Sequence, residues 1–162
     1  MQEEGPHRRS RARASLVVAS PYRVRRSRLE AFAEAARRAL RLRGEVSILI
    51  TDSASMRALN RRYRGKNKPT DVLSFPSPAE LADQTAGDLA ISMEIAKQQA
   101  KSLGHSLTAE LSILILHGMI HLAGYDHQTD DGEMATLERR LRRRFSLPLG
   151  LTERSHHAEL KG

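Results

Sequence analysis

The chain has 162 residues, no cysteine, and 27 Lys plus Arg against 19 Asp plus Glu, a formal net charge of +8. That length suits one domain with a real hydrophobic core. The missing cysteine excludes disulfides and thiolate metal sites, and fits a reducing, cytoplasmic setting. No apolar run approaches the roughly 20 residues that span a bilayer, and residues 1–13 are basic and polar, without the apolar segment of a secretory signal. The positive balance favours polyanionic partners, nucleic acid or an anionic membrane.

Residues 1–13 are expected to form a disordered basic arm. Residues 16–19 (Leu-Val-Val-Ala) read as a first strand, closed by Ser20-Pro21. From Ser27, taken as an N-cap, Leu29, Phe32, Ala33, Ala36 and Leu40 recur at helical spacing until Gly44. Residues 46–50 form a second strand, and Asp52 caps a short helix carrying Met56, Leu59 and Asn60. A basic turn follows at residues 64–69, then a third strand at 72–75, a polar connection at 79–86 and a fourth strand at 87–92. Ser92 or Met93 opens a helix stopped by Gly104, Ser106 caps the next, and Asp130 or Asp131 begins a last long helix with Met134, Leu137, Leu141 and Phe145 on one face.

Strands three and four are joined without a helix, so one pair should be antiparallel. The expected fold is therefore α+β, a mixed four-stranded sheet packed with about five helices. One catalytic domain is expected over residues 14–150, with residues 151–162 a flexible tail.

The fourth of those helices holds the chemistry. His117 and His121 stand four apart at the end of an apolar run from Leu111 to Ile120, so both rings share one helical face. Burying such rings without partners costs a few kcal/mol, and an apolar helix offers few. Gly124 can end the helix at positive φ and turn the chain back, letting His127 approach the same point. Three imidazoles with a fourth position open describe a catalytic rather than a structural zinc site, although imidazole also suits nickel, copper or iron. The pattern H-E-x-x-H-x-x-G-x-x-H of metzincin proteases matches at all three histidines and the glycine. It fails at Gly118, which stands where those enzymes carry their general-base glutamate. A peptidase is set aside on that ground.

His117-Gly118-x-x-His121-Leu122-x-Gly124-Tyr125-Asp126-His127 resembles the signature of the YbeY family of bacterial endoribonucleases and rRNA maturation factors. A second block agrees: Asn60-x-x-Tyr63-Arg64-Gly65-x-x-x-Pro69-Thr70-Asp71-Val72-Leu73-Ser74-Phe75-Pro76. So do Gly87-Asp88-Leu89 and the segment from Glu133-Met134 to Leu137-Glu138. The resemblance implies a zinc-hydrolase-like α+β fold and one zinc per chain on His117, His121 and His127. It also implies cleavage of single-stranded RNA, in ribosomal RNA processing at the 3′ end of the small-subunit RNA and in ribosome quality control. Partners would be ribosomal RNA and the ribosome or its small-subunit assembly proteins, with neither DNA nor membrane expected.

The same resemblance places the family's functional arginine at Arg64, whose planar fork can grip two phosphate oxygens. Lys66 and Lys68 are candidates for steering the RNA backbone. Asp71, Asp88, Asp126 and Glu110 are candidates to accept hydrogen bonds from ligand rings, which metal-bound histidines need, or else to cap turns. Water and the RNA's own 2′-hydroxyl stay open as the attacking group. Two rival classes are a metal-dependent hydrolase of another substrate and a non-catalytic, zinc-containing assembly factor. Aromatics are scarce, three Tyr, three Phe and no Trp, so phosphate contacts should supply most RNA affinity.

Overall fold

The computed structural model describes residues 13–126 and 128–154. The basic arm up to residue 12, His127, and residues 155–162 lie outside the described residues. The elements run β1 (Ala14–Val18), α1 (Arg26–Ala39), β2 (Glu45–Thr51), α2 (Ser53–Arg64), β3 (Val72–Pro76), a 3-10 turn (Ala79–Leu81), β4 (Thr85–Ser92), α3 (Met93–Leu103), α4 (Leu107–Leu122) and α5 (Glu133–Arg144). The expected α+β architecture is found: a four-stranded mixed sheet in the order β1-β2-β4-β3. β1, β2 and β4 are parallel, while β3 pairs antiparallel with β4 through Ser74 opposite Leu89. The polar connection at 79–86 supplies the 3-10 turn and the start of β4.

Side-chain caps fix three of the helix starts. Asp52 accepts from the Ser55 N–H at 2.7 Å, Ser92 from Ile95 at 3.2 Å and Ser106 from Ala109 at 3.1 Å. Ser27 is no cap. Helix α1 begins at Arg26, with Arg25 at the cap position and no side-chain cap, and the Arg26 guanidinium instead reaches back to the Leu16 carbonyl of β1. Before α5, Gly132 takes the cap position at φ 101°. Asp130 serves from two residues upstream, accepting from the N–H groups of Gly132 and Met134 at 2.9 and 3.0 Å.

Helix α4 is wrapped on all sides, which is why its sequence is apolar all round. Every residue from Glu110 to Ile120 is buried, against α1, α3, α5 and the strands β3 and β4. The inner sheet face gives this core Leu16, Val46, Ile48, Ile50, Leu89 and Ile91. The opposite face carries a smaller cluster, Met56, Leu73 and Ala90, beneath α2. The chain does not come loose at Gly150: Thr152, Glu153 and Arg154, expected in the tail, are all hydrogen-bonded to helices of the domain.

One carboxylate ties α1 to β1. Glu34 accepts from the Ala14 N–H at 2.9 Å and from Arg37 at 3.0 and 2.7 Å. The Arg37 guanidinium holds its carboxyl well below the ordinary range, at about 2. With the folded value depressed, the stability it contributes is complete above the ordinary value of 4.5 and is lost as pH falls from there toward 2. Urea midpoints measured across that window should decline less steeply in Glu34→Gln than in the parent; parallel declines would show that Glu34 carries no such linkage.

Candidate metal centre

Helix α4 delivers His117 and His121 in its last turns, and Gly124, at φ 98°, carries the chain away immediately after. The two rings meet edge-on, their centroids 4.8 Å apart and their planes at 79°. Each is oriented through Nδ1. His117 Nδ1 lies 2.6 Å from Glu138 Oε2 on α5, and His121 Nδ1 lies 2.9 Å from the Tyr125 carbonyl oxygen. A carbonyl can only accept, so His121 carries its proton on Nδ1, and an ionised Glu138 imposes the same tautomer on His117. The nitrogen each ring then has to offer a cation is Nε2. This donor set fits a metal such as zinc, because rings braced through Nδ1 by a carboxylate and a carbonyl are the arrangement that metal-ligating histidines require. His127, the third expected ligand, lies outside the described residues, and among those described no group of three or more His, Cys, Asp or Glu side chains is set to hold an ion.

Both rings open on a cleft of about 530 Å³, whose walls include Arg64, Lys66, Lys68, Asp71 and Asp126. Arg64 closes α2, where Gly65 at φ 68° turns the chain into the basic loop. Its Nη2 donates to the Ser74 carbonyl at 3.0 Å, and Ser74 Oγ in turn donates to the Gly118 carbonyl at 3.0 Å. The expected arginine and the expected histidines are thus coupled through one residue of the edge strand. Asn60, buried, shapes the loop by donating to the Lys68 carbonyl at 2.9 Å while its own carbonyl accepts from Lys66.

Gly118 has a packing reason. A Cβ there would sit 2.8 Å from Leu89 Cδ2 and 3.2 Å from both Leu89 Cδ1 and Ser74 Oγ. Helix α4 lies so close to β3 and β4 that even a Cβ would have to displace the Leu89 side chain.

The acidic candidates divide. Asp71 lines the cleft, where its carboxylate accepts from Val72 N–H at 2.8 Å and Gln99 at 3.4 Å. Asp126 lines it too, but builds the turn after Tyr125 by accepting from Gln128 N–H at 3.0 Å. Asp88 is corrected: it lies among Val17, Ser47, Leu59 and Tyr63 on the sheet face away from α4. Glu110 is corrected as well, since its buried carboxylate is taken by His105 at 2.9 Å and by Arg154 at 2.9 and 2.5 Å. The residue that braces the His117 ring is Glu138, which sequence reasoning placed in a family-like segment but gave no role. Its signal was a carboxylate four residues after Met134, on the buried face of α5.

Residues 19–146 match the family model for the endoribonuclease YbeY. The chain belongs to the YbeY family. It is 54% identical over 127 residues to the endoribonuclease YbeY of Koribacter versatilis, covering 78% of this chain and 82% of that one. With the YbeY of Aquifex aeolicus it shares 48% identity over 115 residues, 70% of this chain and 77% of the relative. The solution structure of TM1509 from Thermotoga maritima superposes with a TM-score of 0.54 at 25% identity, over 78% of this chain and 85% of that one. The YbeY match contains Arg64, His117, His121, His127 and Glu138, and stops short of residues 150–154.

The close approach at Gly118 is directly testable. Gly118→Ala should destabilise the fold by about 1–3 kcal/mol, the usual cost of overpacking, read as a lower urea midpoint with unchanged slope. An unshifted midpoint would mean that Leu89 yields freely.

Proposed function

We propose that this YbeY-family protein is a zinc-dependent endoribonuclease that cuts single-stranded RNA. It would act in the cytoplasm, in maturation of the small-subunit rRNA 3′ end and in ribosome quality control, with ribosomal assembly proteins as partners. The observation that supports this reading most is the pair of α4 imidazoles, each braced through Nδ1, facing the same cleft as Arg64. The endoribonuclease names of its relatives supply the substrate class.

His117, His121 and His127 would hold the ion, which when bound supplies Lewis acidity for phosphodiester cleavage. The remaining work falls to the chain. Glu138 and the Tyr125 carbonyl keep the rings aimed. Arg64, pinned by Ser74, offers a fork to the non-bridging oxygens of the scissile phosphate and offsets charge that grows in the transition state. Lys66 and Lys68 continue that positive wall along the RNA backbone. Tyr125, lining the cleft and 37% exposed, is placed for a base to stack on. Because Gly118 leaves no carboxylate on the helix between the histidines, the attacking oxygen's proton is taken up elsewhere. RNA ends decide the nucleophile: a 2′,3′-cyclic phosphate marks the 2′-hydroxyl, a 5′-phosphate marks water.

The test is zinc content and RNA cleavage measured on one tag-free sample. Arg64→Ala should keep its zinc and lose about 100-fold or more in kcat, the scale of removing one preorganised donor. His117→Ala should lose both zinc and cleavage. Cleavage surviving in His117→Ala, or zinc lost from Arg64→Ala, would overturn the assignment. Binding measured with the cleavage-inactive His117→Ala variant should also weaken steeply with salt; a flat response would remove phosphate contacts as the source of affinity.

A further inference from the structure

We infer that residues 150–154 form a strap that positions Glu138, and through it His117, with Thr152 as the positioning residue. The inference rests on the reading of His117 as a metal ligand only for its consequence, not for its geometry. The strap lies beyond the stretch matched to the YbeY family model, which ends at residue 146.

Glu138 is 1% exposed on a face of α5 it shares with Met134 and Leu141. A buried carboxylate needs donors on both oxygens to offset several kcal/mol of lost hydration. One oxygen, Oε2, meets His117. The other, Oε1, accepts from the Thr152 N–H at 3.1 Å and from Thr152 Oγ1 at 3.2 Å. Held on both oxygens, the carboxylate has its plane fixed, and with it the direction in which His117 is braced. Gly150 makes the approach possible, since any Cβ there would fall on Glu138 Oε1.

Two ion pairs fasten the strap to the helices it serves. Glu153 takes a bidentate contact from Arg142 of α5, 2.7 and 2.9 Å, with both side chains largely covered at 18% and 13% exposure. Arg154 makes the corresponding two-toothed contact with Glu110 of α4, and its Nε donates to the Leu149 carbonyl at 3.0 Å. Glu110 and His117 are seven residues apart, nearly the same face of α4. The strap is therefore bolted to α4 two turns before His117 and to α5 one turn after Glu138. Between those bolts, Leu151 lines the cleft beside His117.

The test uses the full chain with Thr152→Val, Thr152→Ser and Gly150→Ala, and two readouts. The first is zinc affinity by chelator competition. Thr152→Val should bind about tenfold more weakly, at the low end of the loss expected for a group behind a ligand, and Thr152→Ser should return to the parent value. Gly150→Ala should weaken binding at least as much. The second readout needs no metal: the His117 Nδ1–H proton, protected from exchange in the metal-free parent and in Thr152→Ser, should exchange faster in Thr152→Val. Circular dichroism confirms folding, and if Gly150→Ala fails to fold the valine and serine pair decides alone. Unchanged exchange and unchanged affinity in Thr152→Val would overturn the strap while leaving the zinc reading intact. A parent that binds no zinc yet shows the exchange difference would sink the zinc reading and leave the strap standing.

Discussion

The contact on which the site depends is the 2.6 Å hydrogen bond between Glu138 and His117, made between two buried side chains. Stability alone does not account for such a pair. Replacing a buried ionic or charge-assisted pair with apolar side chains of similar volume is often neutral or even stabilising, whereas removing one partner alone costs about 3–5 kcal/mol. What an apolar pair cannot do is fix a tautomer and the direction of a lone pair. The contact is thus best understood through orientation: α5 is held against α4 in the register that aims a ring into the cleft. The oxygens of the carboxylate are satisfied by one ring nitrogen and two donors of Thr152, so the arrangement leaves little freedom in the angle.

A second constraint acts on the other side of α4. Its approach to β3 and β4 is so close that any Cβ at position 118 would crowd Leu89, and the same closeness lets Ser74 reach the Gly118 carbonyl. Packing and chemistry are therefore one choice here. The close contact couples the edge strand to the helix, and through Ser74 to Arg64. The cost is the loss of a side chain between the histidines, where a metalloprotease keeps its base. Peptide hydrolysis needs an activated water and a proton acceptor close to it. RNA carries a potential nucleophile of its own, and a site that grips the phosphate has less need of a built-in carboxylate.

Much of this could be read from residue order. The caps at Asp52, Ser92 and Ser106 were legible because a short polar side chain immediately before an apolar helical period has little else to do. The antiparallel pair followed from the absence of a helix between β3 and β4. The histidine pair and Arg64 came from spacing and from the family resemblance, and both line one cleft. Other features depended on parity and reach. Asp88 sits between Gly87 and Leu89, and alternation along β4 turns it outward when Leu89 points in. Glu110 shares a helical face with His117, but seven residues at 1.5 Å per residue, about 10 Å, exceed the reach of a carboxylate. The carboxylate that does reach comes from another helix. Its spacing from Met134 marks it as facing inward, but its partner is set by the docking of α5 on α4. Residues 151–154 looked like a polar tail for the same reason: the partners of their charges, Arg142 and Glu110, are distant in sequence.

Positive charge in the proposed phosphate-binding cleft is placed as well as plentiful. A net charge of +8 spread evenly would attract any polyanion and select none, and at physiological salt exposed charges beyond about 8 Å are largely screened from one another. Arg64 lines the cleft, and its position is set before RNA arrives. One donor is committed to the Ser74 carbonyl, and the fixed planar geometry of guanidinium then determines where the other N–H groups point. The entropy of ordering a long side chain is lost on folding rather than on binding, so more of each phosphate contact remains as affinity or as transition-state stabilisation. Lys66 and Lys68 gain from the same economy through Asn60, which fixes their loop rather than their side chains. The selectivity of the cleft then rests on one cation held by a backbone carbonyl, Arg64, and on two lysines carried by a loop that is itself held.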